Sequence, residues 1–487
     1  MALKQTKTNL QTASAVATRI KTSTKPNGIY TRQHHELPLK SAVGLYQFSP
    51  AAIAQPATEA DLIQIVRYAA QQQLRVRATG AMHSAVPLPA TEGLCVALDR
   101  YQNILQVTGN LVTVQSGIRL HILNDYLAQK GLALPILGTI ALQTVTGAIS
   151  TGTHGGSLYH ASLSSYVESM RIIRADGSVV TVHRNDQVFA GAAIALGALG
   201  LISTITFRCI PAFSLCTSVH RMPMTALLTR FDDIHRQNQY VDLRYSPITD
   251  QAHAALINPS TVPLTSNGGW ETTTTPHWQQ RITDRTNKLA QRLFLTHRFN
   301  RLQRWGIQRY DRHIYAPAYG RSDFVLTHFD ATSTELLAND ARENLDPVAD
   351  MEVAVPYKKA VTALSALRDY FGRSQRFPCM HIHIRTQAAE PFWLSPTRGQ
   401  PICWLEFWEY PRTGKFFADM LRLLRPFDPV GHWGKQLPGP PQQQYPHWED
   451  FVALKQDWDR EGRFSNAYLE KAVFGNSFDN PGIDHSA

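Results

Sequence analysis

The sequence predicts an α+β chain of two closely packed domains, on three observations. First, the 487 residues are 43% hydrophobic and 18% charged, too long for one ordinary compact domain and too apolar for disorder. Second, segments of helical and of strand periodicity are interleaved up to about residue 211. Third, the chain beyond that point carries longer loops, more Trp, Tyr and Pro, and strands in which polar and apolar residues alternate.

In the first part, Thr58-Glu59-Ala60-Asp61 has the form of a helix N-cap with an acid three residues on, and Leu62, Ile65, Val66 and Ala69 follow at helical spacing to about Gln73. Leu74 to Ala78 alternates like a strand and enters the loop Thr79-Gly80-Ala81-Met82-His83-Ser84. A strand at Leu94–Leu98 follows, then a hairpin from Ile104 to Gln115 turning at Gly109-Asn110. Ser116 is expected to cap a helix carried by Ile118, Ile122 and Tyr126 and stopped at Gly131. A hairpin at Asp176-Gly177, a helix through Phe189 to Leu196 and a buried strand over Gly200–Phe207 complete this part, which Pro211 closes.

Composition excludes several classes. The five cysteines, at 95, 209, 216, 379 and 403, form no CxxC pair, so neither a disulfide framework nor a structural zinc site is expected. The net charge of +10 is concentrated: residues 1–40 hold seven basic residues against Glu36 alone. The body of the chain is therefore only weakly basic, which argues against nucleic acid. No apolar run reaches the ~18 residues of a membrane span. The leader has the Ser/Thr-rich, acid-poor composition of an organelle transit peptide, yet Pro26 and Gly28 interrupt any long amphipathic helix. A disordered extension and a cytoplasmic location are expected, with an organelle as the alternative.

Residues 138–157 are the least ordinary stretch: fourteen of the twenty are Gly, Ala, Ser or Thr, and none is Asp, Glu, Lys or Arg. Small residues let a backbone approach a flat or phosphorylated ligand and donate to it. There is no GxxxxGK[ST] and no GxGxxG between strand and helix, so a nicotinamide Rossmann enzyme is disfavoured. In the second part, the strand Met380–Arg385 places His381, His383 and Arg385 on one face, and the strand Cys403–Tyr410 does the same for Trp404, Glu406 and Trp408. Leu394-Ser395-Pro396 can turn one alongside the other, making a pocket suited to a polyol or lactone. His381-x-His383 could also be half of a metal site, but no clear third ligand follows, so no metal is expected.

These elements, in order, resemble the vanillyl-alcohol-oxidase (PCMH) type of FAD-linked oxidase, in its branch with D-arabinono-1,4-lactone oxidase, L-gulonolactone oxidase and alditol oxidase. The resemblance covers about residues 45–475. It implies a PCMH-type FAD-binding domain of two subdomains (45–211) and an α+β substrate, or cap, domain with a mixed or antiparallel sheet (212–475). The last part of the latter, about 425–475, would pack back on the FAD; 1–44 is an extension and 476–487 a tail.

By the same resemblance, Ala78, Thr79, Gly80, Ala81, Met82, His83 and Ser84 wrap the FAD pyrophosphate, with His83 attached covalently to the flavin. No cysteine lies between 96 and 208, so single attachment is implied. Gly138, Thr144, Val145, Thr146, Gly147, Thr151 and Ile202 would contact FAD, as would His432 in His432-Trp433-Gly434-Lys435. Thr139, Arg385 and Trp408 would bind substrate. The family's E-x-R strand reads His383-Ile384-Arg385 here, and Glu406 stands where alditol oxidase has a histidine, so the pair is exchanged.

A hydride transfer to flavin needs a base for the alcohol proton and a cation near the flavin's developing negative charge. The expected assignments are His383 as base, Glu406 orienting it, and Arg385 and Lys435 as the cations. The substrate would be a sugar-derived alcohol or aldonolactone and the acceptor O2, giving H2O2. Two alternatives are a dehydrogenase with another acceptor and a flavin-binding protein without catalysis.

Overall fold

The computed structural model describes residues 29–31, 38–261, 318–321, 349–374, 377–378, 381–409, 414–436 and 444–475. Nearly all of the basic extension, the tail and Met380 fall outside these residues.

Two small sheets form the first part of the chain. Ile29–Thr31 (β1), Ala52–Ala54 (β2), Val76–Thr79 (β3) and Leu94–Ala97 (β4) form a four-stranded sheet in the order β1-β2-β4-β3. In it, β2 and β3 run parallel to β4. The crossover from β2 to β3 is the helix Glu59–Gln71 (α1), whose start is fixed as its sequence predicts. Thr58 Oγ1 accepts from Asp61 N–H and Asp61 accepts from Thr58 N–H, a complete capping box worth about 1 kcal/mol.

Ile104–Thr108 (β5), Leu111–Gln115 (β6), Val167–Ile173 (β7), Val179–His183 (β8) and Leu201–Arg208 (β9) form an antiparallel sheet in the order β8-β7-β9-β6-β5. Two expectations shift here. The helix after β6 is Leu120–Gln129 (α2), capped by Arg119 rather than Ser116, and it buries Leu120, Leu123 and Leu127 while Ile122 stays 39% exposed. The backbone has already turned at Ser116, where Ser116 N donates to Ser203 O and Gly117 N to Tyr101 O. The helix beginning at Phe189 stops at Ala192, ahead of the glycine turn in which Leu196 and Gly197 both take positive φ.

An eight-stranded sheet dominates the second part. Its strands are Ser214–Pro223 (β10), Tyr240–Ser246 (β11), Gln251–Ser260 (β12), Ala318–Arg321 (β13), Ala349–Pro356 (β14), Ile382–Gln387 (β15), Ile402–Glu409 (β16) and Val430–Gly431 (β17), in the order β13-β10-β12-β11-β15-β16-β14-β17. All pairings are antiparallel. Alternation along each strand separates two faces. Leu243, Met351, Val353, Ile382, Ile384, Leu405 and Phe407 pack beneath three helices, Met224–Gln237 (α4), Ala360–Arg373 (α5) and Lys415–Leu424 (α6); the short helix Val145–Ser150 is α3.

The opposite, polar face of the sheet meets the first part of the chain. Val241 N donates to Gly156 O and Ser157 N to Thr386 O, both at 2.8 Å. A Cβ on Gly156 would lie 2.2 Å from Val241 O, so only glycine admits this approach. Glu390, in the loop after β15, is 4% exposed and accepts from Ser162 N and Oγ, Ser165 Oγ, Gln387 Nε2 and Ser395 Oγ. The helix Trp448–Trp458 (α7) and the segment after it return to the first sheets. There Val76 N donates to Arg463 O, and Asn466 Nδ2 donates to the carbonyls of Pro87, Leu88 and Ala90.

Candidate active site

Between the two parts lies a cavity of about 1350 Å3 including its open mouth. Its walls bring together segments far apart in sequence: the loop after β3, the small-residue stretch 138–154, the turn 196–202, and charged side chains from β14, β15, β16 and the segment after β17.

Most of the residues expected at the cofactor are there. Ala78, Gly80, Ala81, Met82, His83, Ser84, Gly138, Thr144, Thr146, Gly147, Thr151, Ile202 and His432 line the cavity, as does Thr139, expected at the substrate. Thr79 and Val145 do not: Thr79 is 5% exposed with Oγ1 beside Cys95 Sγ, and Val145 is wholly buried in the core. Each side chain falls on the far side of its own strand or helix from the wall. Met82 takes φ +51, a backbone outlier for a non-glycine residue that turns His83 into the chamber.

The wall fits a flat, phosphorylated cofactor. A Cβ on Gly80 would lie 2.1 Å from Thr144 Oγ1, and one on Gly138 would lie 2.7 Å from Thr153 Cγ2. The main chain of each glycine thus lies directly against a threonine side chain, an approach that only glycine admits. At the other end, Arg385 Nε is buried and meets no hydrogen-bond partner among the described residues, a cationic donor left for a ligand.

The charged end is set by strand register. His383 pairs with Glu406, Arg385 with Trp404, Glu352 with Glu406 and Asp350 with Trp408. Because these residues alternate with apolar ones, all point to the polar face. Arg385 Nη2 donates to Glu352 Oε1 at 2.5 Å and lies 3.5 Å from Glu406 Oε2. Lys435 Nζ donates to Glu406 Oε1 at 2.8 Å and also to Asp350 Oδ2. Burial opposes the charge of Lys435, but Asp350, Glu406 and Glu352 outweigh it and hold the amine protonated far up the scale. Burial likewise opposes ionisation of Glu406, but Lys435, His383 and Arg385 prevail and keep its carboxyl well below the usual range. Glu352 is held down in the same way, by Arg385 first.

His383 departs from its expected role. It does not line the cavity. Its Nδ1 lies 3.1 Å from Glu406 Oε2 and its Nε2 2.5 Å from Asp242 Oδ2, so both nitrogens face carboxylates. Burial disfavours the charged ring, yet Asp242 and Glu406 push it up to about 9. An imidazole that already holds both protons has no lone pair for a substrate. Trp408, expected at the substrate, stacks on His383 with ring centroids 6.4 Å apart and is absent from the wall. Arg385, Glu406 and Lys435 do face the chamber.

Sequence reasoning missed Glu352, Asp350, Asp242 and His154. His154, Glu352 and His432 offer ligand atoms within 4.8 Å of one another, but the grouping does not suit a metal. His432 Nδ1 accepts from Gly434 N–H at 3.0 Å, so its proton sits on Nε2, and the guanidinium of Arg385 occupies Glu352. Burial pushes His432 down to about 3, and the neutral ring stays an N–H donor to its surroundings.

Fold and cavity together define the class: the chain is an FAD-binding oxidoreductase. The profile of an FAD binding domain matches residues 50–183 and that of D-arabinono-1,4-lactone oxidase matches 205–472. The latter spans more than half of the chain, which belongs to the D-arabinono-1,4-lactone oxidase family. The chain is 27% identical over 442 residues to an L-gulono-1,4-lactone dehydrogenase of Mycobacterium tuberculosis, covering 87% of this chain and 96% of that protein. It is 37% identical over 221 residues to a putative D-arabinono-1,4-lactone oxidase of Neurospora crassa, covering 44% and 40%. In fold it is similar to a cholesterol oxidase mutant of Brevibacterium sterolicum, with a TM-score of 0.70 at 15% identity over 92% of this chain and 98% of that one.

Proposed function

We propose that the protein oxidises a carbinol carbon of an aldonolactone, with FAD held covalently through His83 and molecular oxygen taking the electrons to give hydrogen peroxide. One observation carries this reading: His83 and the charged cluster Glu352, Arg385, Glu406 and Lys435 line the same cavity although they come from opposite halves of the chain. FAD, when bound, supplies a two-electron acceptor for the C–H bond. The chain supplies the rest. Arg385 and Lys435 place two fixed positive charges where negative charge develops. Glu352 and Glu406, held ionised, accept from substrate hydroxyls and orient the reacting carbon. His383, clamped between Asp242 and Glu406, keeps Glu406 ionised and aimed rather than acting as base. Lactone substrates are favoured by the names of the aligned relatives.

A second reading, a dehydrogenase with an acceptor other than oxygen, is favoured by one of those names, the mycobacterial relative that aligns over most of the chain. Anaerobic mixing of the yellow protein with D-arabinono-1,4-lactone, L-gulono-1,4-lactone and a polyol panel tests the substrate class. Bleaching by lactones is expected, and bleaching by polyols alone overturns the lactone assignment. Oxygen uptake after reduction is expected within the turnover time; reduced protein that stays bleached in air but recolours with a quinone supports the dehydrogenase.

A further inference from the structure

The proton that leaves the substrate hydroxyl needs a destination, and the cavity's own carboxylates are poor ones, since Glu352 and Glu406 are both held ionised by buried cations. Two further carboxylates stand behind the cavity, each one residue removed from Glu406. Asp242 is reached through His383, and Asp350 through Lys435; neither lines the chamber. We propose that Asp350 is the resting place of the substrate proton, which reaches it through Lys435.

The two routes differ in what surrounds their ends. Asp242 has both oxygens engaged: Oδ2 with His383 Nε2 at 2.5 Å and Oδ1 with Arg244 Nε at 3.4 Å. Two cationic partners make a proton unwelcome there, and although burial opposes its ionisation, Asp242 stays down at about 2. Asp350 shares the single charge of Lys435 with Glu406. Its Oδ1 is buried and meets no hydrogen-bond partner among the described residues, a costly state for an ionised oxygen. Facing it are Lys435, Glu406 from β16 and Glu352 from its own strand, with Arg385 spent on Glu352. Burial first, and then the repulsion of Glu406 and Glu352 over the attraction of Lys435, pushes Asp350 up to about 7.

The step balances. Lys435 Nζ first passes a proton to Asp350 Oδ2, an N–H bond breaking as an O–H bond forms, and the lone pair so freed takes the substrate proton as its O–H bond breaks. The electron pair of the broken C–H bond goes to FAD, and Lys435 is an ammonium before and after. The side chain of Asp350 is 16% exposed, so the proton can pass on to solvent.

This inference rests on the reading of the protein as a carbinol-oxidising flavoenzyme, and the test separates the two. The FAD-loaded wild type, Asp350→Asn and Asp350→Glu are compared for flavin content and near-ultraviolet circular dichroism. Infrared difference spectra of protein labelled with 13C-aspartate are then recorded from pH 5 to 9. A protonated-carboxyl band titrating near pH 7 in the wild type and absent from Asp350→Asn is expected. In anaerobic reduction by D-arabinono-1,4-lactone, the wild-type rate rises with pH through the same region; Asp350→Asn loses this limb and about 10²-fold in rate, as for other lost proton acceptors, and Asp350→Glu recovers both. A folded, FAD-loaded Asp350→Asn protein with the wild-type limb and rate overturns the inference alone. A wild type whose flavin is reduced by dithionite but by no lactone or polyol overturns the functional reading, and the inference falls with it.

Discussion

His383 Nε2 lies 2.5 Å from Asp242 Oδ2 in a side-chain environment almost closed to solvent. Removing Asp242 leaves the buried His383 Nε2 without its partner while Nδ1 keeps Glu406, a loss of about 1–3 kcal/mol. Asp242→Ala is expected to lose that much in urea unfolding at pH 7.

The same pair sets a pH dependence. His383 titrates at its ordinary value of 6.5 when unfolded and near 9 when folded, so the folded state binds the proton more tightly. Its contribution to stability is complete below pH 6.5 and is lost as pH rises through 9. The difference in unfolding free energy between the wild type and His383→Gln should narrow across that window, and a constant difference from pH 6 to 10 would count against an imidazolium at this site.

Gly80 and Thr144 leave no room for a side chain between their loops. In Gly80→Ala, Thr144 must rotate away, giving up its hydrogen bond from Gly147 N, or the loops must part at a cost of about 1–3 kcal/mol. Purified Gly80→Ala should carry less than stoichiometric FAD, and Gly80→Ala with Thr144→Ala should recover part of it. Absorbance at 450 nm per protein reads both.

Glu390 accepts five hydrogen bonds with no cation among the donors. Glu390→Ala strands the donors of Ser162, Ser165 and Gln387, while Ser395 Oγ keeps Thr397 Oγ1 at 3.0 Å, and should cost about 3 kcal/mol or more in chemical unfolding. Glu390→Gln, which keeps an acceptor, should cost less than half as much.

Attachment through His83 predicts that acid-precipitated wild type stays yellow and that His83→Ala releases its flavin to the supernatant. Flavin released from the wild type as well would make the link non-covalent.

Local signals carried much of this arrangement in the sequence. The Thr58 cap, the hairpin turns and the small-residue run at 138–157 encode their own geometry over a few residues, and the alternation around His383 and Glu406 correctly shared out the faces of β15 and β16. What escaped was register. Asp350 and Glu352 alternate with apolar residues in β14, as Asp242 and Arg244 do in β11, a readable pattern of charges in buried strands. Yet nothing local says that β11 and β14 flank β15 and β16, so nothing local reveals that His383 meets Asp242 and Lys435 meets Asp350. The place found for His383, outside the cavity wall, follows from this, because one of the two carboxylates that hold its ring is Asp242, 141 residues away.

The main-chain bonds from Gly156 to Val241 and from Ser157 to Thr386 bear on how such enzymes can be recombined. A chimaera joining the front of one relative to the back of another must bring a glycine opposite the Val241 carbonyl and keep both strand edges at the same height. Otherwise its halves meet with unsatisfied amides at the seam. Substitutions meant to reshape the cavity are therefore best grafted onto the polar face of the large sheet, leaving the junction at 156–157 intact.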